Sequence, residues 1–497
     1  MLDFSAVCFA DKNAVICVDR TLTFRELGAL AANFAANIRS RGIAPGDVVT
    51  IWIENGWRWI AAYYGTLKLG AIVNPINVLM SPSEVDYIAD DCHAKAIIGT
   101  PVGLRALAPK PGVTLIDSEQ GLDALFLPPG DSASVPSAQP APHSPATIAY
   151  TSGTTGHPKG AVLSHRAIIL DALMTSLMHG RTSADIVVSA LPCTHVYGNI
   201  VLNAAVACGM TLVLFPRFDE DAVVDAIARY GATLFEGVPT MYMRLLNHTA
   251  LGRANLRTLQ RCTVGGQTMP VSTMQEVEAR FGVPLLELWG MTEIAGLGTT
   301  HPFNAPRRLG SIGVPLPMYE AAIASIEDPT RRLPPGEVGE FLIRGPSLMD
   351  GYLGNAEATK QAFTSDGYLR TGDLAHQDRD GYYFIVDRMK EMILTAGYNV
   401  YPAELERVIA LHPAVAMVAV GKIPDEIKGE RAKAYVVLRA GMTATADSII
   451  QHCHGQLAAY KVPRHVAFVD DLPKTSTGKI LRRQLHLLDT APKSPSN

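Results

Sequence analysis

The chain has 497 residues, of which 48% are hydrophobic and 18% charged, with a formal net charge of −4. These values indicate a globular protein of several domains, and they give no reason to expect binding to nucleic acid or an anionic membrane. The first residues lack a basic signal region and no apolar run is long enough to span a bilayer. The seven cysteines form no CxxC pair. We therefore expect a cytoplasmic protein without a disulfide framework.

The first quarter of the chain alternates between helix and strand patterns. A Thr-Phe-Arg-Glu sequence at 23–26 has the spacing of a helix capping box. Strands are predicted at 48–53 and 70–73, with a helix at 59–67 between them. The alternation favours an α/β domain with a largely parallel sheet. A proline-rich stretch at 127–145 is predicted to be a surface connector.

The pattern changes twice after residue 300. Short β-prone runs between turns at about 307–386 predict a small β-barrel-like subdomain. Mixed elements follow and are long enough for a separate domain. We predict an α/β fold with a large N-terminal domain at 1–387, made of two α/β subdomains plus the β subdomain. A hinge at 388–391 and a smaller, mobile α+β domain at 392–497 follow.

The most informative run lies at 150–160, Tyr-Thr-Ser-Gly-Thr-Thr-Gly-His-Pro-Lys-Gly. Glycines let backbone N–H groups approach an anion, hydroxyls donate to phosphate oxygens, and the lysine adds a positive charge. Because β-prone residues flank it, we predict a strand-to-strand phosphate loop, with a flexible surface turn as the alternative. It is not a P-loop, in which the lysine opens a helix. The candidate phosphate ligands are Thr151, Ser152, Gly153, Thr154, Thr155, Gly156 and Lys159.

This run resembles the phosphate loop of the adenylate-forming superfamily, which includes acyl-CoA synthetases, aryl-CoA ligases, luciferases and peptide-synthetase adenylation domains. Five further segments resemble motifs of that superfamily and occur in its order: 263–270, 288–293, 368–373, 387–399 and 473–483. One match would be weak evidence, whereas the ordered set indicates membership, in the acid–thiol ligase branch.

The resemblance implies a nucleotide site. Trp289 is expected beside the adenine, Thr292 on the α-phosphate and Glu293 on magnesium, which prefers oxygen ligands. Asp373 is expected to accept both ribose hydroxyls, since a carboxylate accepts bidentately, and Arg388 to contact the ribose or phosphates. The other implied nucleotide-site residues are Gly266, Gln267, Leu288, Gly290 and Met291. Gln267 replaces a small residue of many members.

The resemblance also implies two lysines with different tasks. Lys390 is the expected hinge between the domains. Lys479 is expected to neutralise charge on the α-phosphate and the attacking carboxylate during adenylation. Gly397 and Tyr398 are expected to contact CoA, because glycine leaves room for a pantetheine arm.

The acid is expected in a less regular pocket. His195, Tyr197 and Gly198 resemble the segment that walls the acyl site, with His195 orienting the carboxylate. The other predicted pocket residues are small or apolar: Gly265, Ala295, Gly296 and Leu297. Because residues 192–199 contain no acid, a buried substrate amine would lack a partner, and an amino-acid substrate is disfavoured. Arg244 could pair with a second carboxylate, although a position on a helix surface is preferred.

The sequence therefore predicts an AMP-forming acyl-CoA synthetase that uses ATP, Mg²⁺ and CoA on a fatty or aryl acid. Three alternatives stay open: a stand-alone adenylation enzyme that loads a carrier-protein phosphopantetheine, a dicarboxylate-specific CoA ligase, and a catalytically inactive nucleotide sensor. The expected partners are these small molecules, without nucleic acid or stable membrane insertion. The identity of the acid and the formation of a homodimer stay open.

Overall fold

The computed structural model describes residues 1–129, 140–151, 158–395, 398–425, 428–474 and 480–489. Helices α1 to α14 occupy, in chain order, Leu2–Cys8, Phe24–Ser40, Trp57–Leu69, Pro82–Asp91, Pro101–Arg105, Gly121–Leu125, His165–Met178, Val196–Cys208, Glu220–Tyr230, Pro239–Leu246, Val271–Phe281, Ala356–Ala362, Pro402–Ala410 and Ala446–His454. Short 3-10 helices occupy Thr249–Arg253, Thr292–Ile294, Met389–Glu391 and Arg482–Asp489.

Strands β1 to β25 occupy, in chain order, Asn13–Ile16, Thr21–Thr23, Val48–Trp52, Ile72–Pro75, Ala94–Gly99, Thr114–Asp117, Pro145–Thr151, Lys159–Ser164, Ile186–Ser189, Thr211–Leu214, Leu234–Gly237, Arg261–Val264, Leu285–Met291, Gly296–Thr300, Val314–Pro315, Glu320–Ala324, Gly339–Arg344, Gly351–Tyr352, Leu369–Gln377, Tyr383–Arg388, Ile393–Thr395, Tyr398–Val400, Val415–Asp425, Gly429–Leu438 and His465–Phe468.

The chain forms two compact units. The first contains Met1–Glu320 and Ile343–Leu369, and the second contains Ala321–Leu342 and the chain from Arg370 onward. Within the described ranges, the first unit has a nine-stranded sheet of order β15-β14-β13-β12-β11-β9-β10-β1-β2. It also has a seven-stranded sheet of order β18-β8-β7-β4-β3-β5-β6. These two sheets correspond to the two predicted α/β subdomains.

Local signals in the sequence form as expected in the first unit. At the start of α2, the Thr23 hydroxyl accepts from the Glu26 backbone N–H at 3.2 Å, and Glu26 Oε2 accepts from the Thr23 N–H at 2.8 Å. This arrangement confirms the predicted capping box. The strand predicted at 70–73 instead begins at Ile72, because Gly70 adopts φ 85° and ends α3 with a left-handed cap.

The second unit contains most of a four-stranded sheet of order β16-β17-β19-β20, which corresponds to the predicted small β subdomain. A separate sheet orders β22-β21-β24-β23, with β25 beside β24, and packs with α13 and α14. Its core includes the buried side chains of Ile393, Leu405, Ile409, Val436 and Ile449. This arrangement is the predicted α+β domain, while the hinge at 388–391 stays a prediction.

The central strands of the nine-stranded sheet lie side by side and contribute apolar residues to one buried core. Buried residues such as Val188, Phe235, Cys262 and Leu285 come from β9, β11, β12 and β13. Each of these strands runs parallel to its neighbour, so their carboxyl ends share one edge. No helix in the described part of the chain is long and apolar enough to cross a membrane.

Candidate active site

Several predicted site residues follow the carboxyl ends of the parallel strands. His195 comes after β9, Gly265 and Gly266 directly after β12, and Thr292 and Glu293 directly after β13. In open α/β sheets the crevice beyond the carboxyl ends of the strands is the usual ligand site, because loops there can present backbone and side-chain groups together. The topology therefore brings these separate sequence segments to one edge of the sheet.

The predicted phosphate loop connects two antiparallel strands. In the register of β7 and β8, Thr151 pairs with Lys159 and Tyr150 with Gly160. The strand-to-strand connection is therefore as predicted. Ser152, Gly153, Thr154, Thr155 and Gly156 lie outside the described residues. The ammonium of Lys159 lies 5.2 Å from the centroid of the Tyr352 ring, a cation–π distance.

Glu293 is a buried carboxylate on the 3-10 helix that follows β13. Its side chain accepts a 2.8 Å hydrogen bond from the Tyr352 hydroxyl, and its backbone carbonyl accepts from the Met349 N–H at 2.8 Å. The preceding Thr292 is partly buried. No group of three His, Cys, Asp or Glu side chains in the described ranges could hold a metal. A single carboxylate suits Mg²⁺, which usually takes one or two protein carboxylates and completes its shell with water and phosphate oxygens.

Close packing against main-chain or side-chain atoms explains two glycines of the predicted nucleotide segments. A Cβ on Gly290 would lie 1.8 Å from the Gly296 carbonyl oxygen, and one on Gly265 would lie 2.2 Å from Leu288 Cδ1. Gly266 has φ +87°, a conformation that favours glycine. Of the remaining predicted residues, Leu288 and Trp289 are buried, while Gln267 and Met291 are partly buried.

A strained turn joins β13 to β14. Ala295 has φ 63°, in the left-handed region that costs about 1–3 kcal/mol for a residue with a Cβ. Asp171, on α7, holds the turn because its Oδ2 accepts from the Leu297 N–H at 2.9 Å. Burial raises the pKa of Asp171 well above its ordinary value. No motif in the sequence indicates Asp171, which supports the predicted acyl-pocket wall at Ala295, Gly296 and Leu297.

His195 is the N-cap residue of α8, and its ring has a local structural role. Its Nδ1 accepts from the Tyr197 N–H at 3.2 Å, so His195 caps the helix while its side chain stays exposed. Gly198 packs so closely that a Cβ would lie 2.2 Å from the Pro192 carbonyl oxygen. The capping bond keeps the three predicted pocket residues, His195, Tyr197 and Gly198, in the first turn of one helix.

A buried polar network starts at Tyr197. Its hydroxyl lies 2.7 Å from Thr263 Oγ1, which donates to Glu236 Oε2 at 2.7 Å. Glu236 Oε1 lies 2.6 Å from Arg181 Nη2, and both side chains have no exposed surface. His179 Nδ1 lies 3.1 Å from Arg181 Nη2, and burial followed by the charge of Arg181 lowers the pKa of His179 well below its usual range.

Sequence reasoning missed this network, although one signal was available. Glu236 interrupts the apolar strand Leu234–Gly237, and a buried acid requires a partner. Only the fold identifies that partner as Arg181, 55 positions earlier in the chain. The helix-surface position preferred for Arg244 is confirmed, since this exposed side chain pairs with Glu220 at 2.5 Å.

Within the second unit, Asp373 and Arg388 form an ion pair. Arg388 Nε lies 2.7 Å from Asp373 Oδ1, and the two residues pair directly across β19 and β20. The carboxylate side chain is only 4% exposed, whereas the guanidinium side chain is 37% exposed. The sheet therefore brings together Asp373, which the resemblance implies on the ribose, and Arg388, which it implies on the ribose or phosphates.

The predicted hinge and CoA residues also lie in the second unit. Lys390 lies on the 3-10 helix Met389–Glu391, and the exposed Tyr398 stacks on Tyr460 with ring centroids 4.6 Å apart. Gly397 and Lys479 lie outside the described residues. Shortly after Lys479, Arg482 pairs with Glu406 at 2.6 Å, which fixes the chain beyond that lysine.

Similarity to known proteins agrees with these features. A family model described as AMP-binding enzyme matches residues 2–353, and one described as AMP-binding enzyme C-terminal domain matches 404–479. The chain is 32% identical to a long-chain-fatty-acid–CoA ligase of Bacillus subtilis (strain 168), over 98% of this chain and 93% of that protein. It is 34% identical to an indoleacetate–CoA ligase of Aromatoleum aromaticum (strain DSM 19018 / LMG 30748 / EbN1), over 96% and 95% of the two proteins.

A solved structure extends the likeness to the fold. The crystal structure of ATP-bound MatB from Rhodopseudomonas palustris matches with a TM-score of 0.91 and 31% identity, over 98% of each chain. The protein belongs to the AMP-binding enzyme family. This membership confirms that it is an enzyme of the adenylate-forming superfamily, with the α/β fold of large N-terminal and small C-terminal domains that the motifs implied.

Proposed function

We propose that this enzyme is an AMP-forming acyl-CoA synthetase. In the first step, an oxygen of the substrate carboxylate attacks the α-phosphorus of ATP, and the bond to the bridging oxygen breaks to release pyrophosphate. In the second step, the CoA thiolate attacks the acyl carbon of the adenylate. The acyl C–O bond breaks, AMP leaves, and the thiol proton passes to solvent.

The observation that carries this proposal is the joint contact of Lys159 and Glu293 with Tyr352. One tyrosine thus contacts both the lysine proposed to bind phosphate and the carboxylate proposed to bind the metal. A Mg·ATP site needs a cation and a carboxylate of this kind. Bound at Glu293, Mg²⁺ would neutralise part of the triphosphate charge. Lys159 and Thr151 would bind the phosphates that leave as pyrophosphate, while Asp373 and Arg388 would bind the ribose.

The acid-binding residues in this proposal are His195, Tyr197, Gly198, Gly265, Ala295, Gly296 and Leu297. A relative named for long-chain fatty acids and one named for indoleacetate are nearly equally identical in sequence to this chain. Overall similarity therefore does not identify the acid. Lys479 would neutralise charge on the α-phosphate during adenylation. Lys390 would be the hinge about which the small domain rotates. This rotation would remove Lys479 from the active site and bring in the CoA-binding residues Gly397 and Tyr398.

The test is AMP formation by the purified full chain with ATP, Mg²⁺, CoA and a panel of aliphatic, aryl and dicarboxylic acids. We expect AMP only when an acid and CoA are both present. ATP consumption independent of any acid would overturn the proposal. Transfer to a carrier-protein phosphopantetheine but not to CoA would instead identify a stand-alone adenylation enzyme.

The role of Lys479 is tested by separating the half-reactions. Lys479→Ala should slow acid-dependent pyrophosphate release on the order of 10²–10³-fold, the effect of losing one charge-stabilising donor. Thiolysis of supplied acyl-adenylate should largely survive. Lys474→Ala is the matched control, because Lys474 pairs with Asp471 on the same segment of the chain. Equal loss in both half-reactions would contradict this division of roles.

A further inference from the structure

Tyr352 contacts both charged groups of the candidate phosphate and metal site. Its hydroxyl donates to Glu293 Oε1 at 2.8 Å, and its ring receives the Lys159 ammonium at 5.2 Å from the centroid. The residue lies in a Gly-Tyr pair at 351–352, almost 60 positions from Glu293 and about 190 from Lys159. Neither the motifs nor the family match assigns it a role.

The main chain on either side of Tyr352 fixes its position. Tyr352 pairs with Ala161 in the register of β18 and β8, and the Leu353 N–H donates to the Gly160 carbonyl at 2.8 Å. On the other side, the Met349 N–H donates to the Glu293 carbonyl at 2.8 Å. One short segment is thus hydrogen-bonded both to the strand that begins at Lys159 and to the 3-10 helix that carries Glu293.

The two side-chain contacts serve different purposes. A ring face attracts an ammonium without neutralising it, so Lys159 keeps its full charge for a phosphate. A hydroxyl that donates to a carboxylate oxygen orients the carboxylate while leaving it anionic. A tyrosine hydroxyl is ordinarily protonated at neutral pH, so it can donate this hydrogen bond to Glu293.

We propose that Tyr352 is a positioning residue that aligns Glu293 for Mg²⁺ and Lys159 for the phosphates of the same nucleotide. This inference rests on the proposed function, because it assumes that ATP and Mg²⁺ bind at these two groups. Removing a group that hydrogen-bonds to a metal-binding carboxylate typically changes the metal affinity about 10- to 100-fold. A cation–π contact contributes less, equivalent to a change of about 2- to 30-fold in affinity.

The test measures ATP binding to the full chain by isothermal titration calorimetry, once in EDTA and once with excess Mg²⁺. Tyr352→Phe keeps the ring but loses the hydrogen bond to Glu293. We expect the gain in ATP affinity from Mg²⁺ to shrink about 10-fold or more, with the affinity in EDTA changed less than about 2-fold. Tyr352→Leu loses the ring as well, and its affinity in EDTA should fall about 2- to 30-fold.

The chain offers a close control for these variants. Tyr368 donates from its hydroxyl to Glu320 at 2.9 Å, and its ring receives Arg344 at 4.7 Å. Tyr368→Phe therefore removes the same kind of hydrogen bond from an exposed carboxylate, and it should leave both affinities unchanged. Urea midpoints verify that each variant is folded. If Tyr352→Phe unfolds, Tyr352→Trp retains a ring and an N–H donor and should preserve more of the Mg²⁺ gain than Tyr352→Leu.

Three results would overturn the inference. In the first, Tyr352→Phe keeps the full Mg²⁺ gain. In the second, ATP affinity falls equally with and without Mg²⁺, as a general distortion would produce. In the third, the wild-type chain shows no Mg²⁺ gain at all. Failure of the proposed function is distinguishable, because the wild-type enzyme would then form no AMP with any acid.

Discussion

The hydroxyl of Tyr197 lies 2.7 Å from Thr263 Oγ1, and this contact connects the predicted acyl-pocket helix to the buried ion pair of the nine-stranded sheet. Tyr197 is fully packed, and burial raises the pKa of its hydroxyl well above the ordinary value. The hydroxyl therefore stays protonated and is held by the network. Hydrogen bonds therefore connect Tyr197, at the candidate acyl site, through Thr263 to the buried charges of Glu236 and Arg181.

The buried pair Arg181–Glu236 should make single substitutions costly. Glu236→Gln leaves the Arg181 charge without its counter-ion, and breaking such a pair typically destabilises a protein by about 3–5 kcal/mol. The double variant Arg181→Met/Glu236→Met removes both charges and should recover most of that loss. Urea unfolding of the three proteins measures the effect. A single variant as stable as the wild type would contradict it.

Asp373 should act on the part of the nucleotide that ATP and AMP share. Asp373→Asn removes the charge that we propose accepts the ribose hydroxyls and that pairs with Arg388. Hydrogen bonds to charged groups contribute about 1.5–3 kcal/mol, so both nucleotides should bind roughly 10- to 150-fold more weakly. Calorimetric affinities test this, with Asp380→Asn in an exposed turn as the control. Loss of affinity for ATP alone would place Asp373 near the outer phosphates instead.

Glu287 should make stability fall as pH rises. It is 3% exposed on β13, its Oε2 has no hydrogen-bond partner in the described part of the chain, and burial raises its pKa to about 8. Between about pH 4.5 and 8 the unfolded chain loses this proton while the folded chain keeps it, so folding becomes less favourable. The loss is complete above pH 8 and is on the order of 5 kcal/mol at most.

Urea unfolding across this range tests the prediction. Glu287→Gln cannot ionise, so its stability relative to the wild type should be lowest near pH 4.5 and should rise until about pH 8. Glu276→Gln on the exposed face of α11 is the control and should follow the wild-type curve. A stability difference that stays constant with pH would show that burial does not hold the proton on Glu287.

Gly290 should tolerate no side chain. A methyl group there would lie 1.8 Å from the Gly296 carbonyl, so Gly290→Ala forces β13 away from β14. Overpacking of this kind costs about 1–3 kcal/mol or more. We expect lower stability in urea together with slower adenylation, since Thr292 and Glu293 lie two and three positions after Gly290. Gly252→Ala, with no atom within 4 Å of the added Cβ, should behave as the wild type.

Much of the fold was predictable because its signals are local. The capping box at Thr23, the helix predicted at 59–67 and the strands flanking the phosphate loop depend on neighbouring residues, and each forms as expected. Element ends were less predictable. Gly70 ends α3 through its left-handed φ, and the sequence pattern alone did not separate that cap from the next strand.

The sequence by itself determined the reaction class that we propose, because the residues predicted to bind phosphate, ribose and metal occur in short ordered motifs. The tertiary structure decided which residues support them. Tyr352 reaches Lys159 and Glu293, Asp171 holds the turn at Ala295, and Arg181 pairs with Glu236 only after distant segments fold together. These contacts join residues that are far apart in the chain. A buried charge needs a partner, but that need does not say which position in the sequence supplies it.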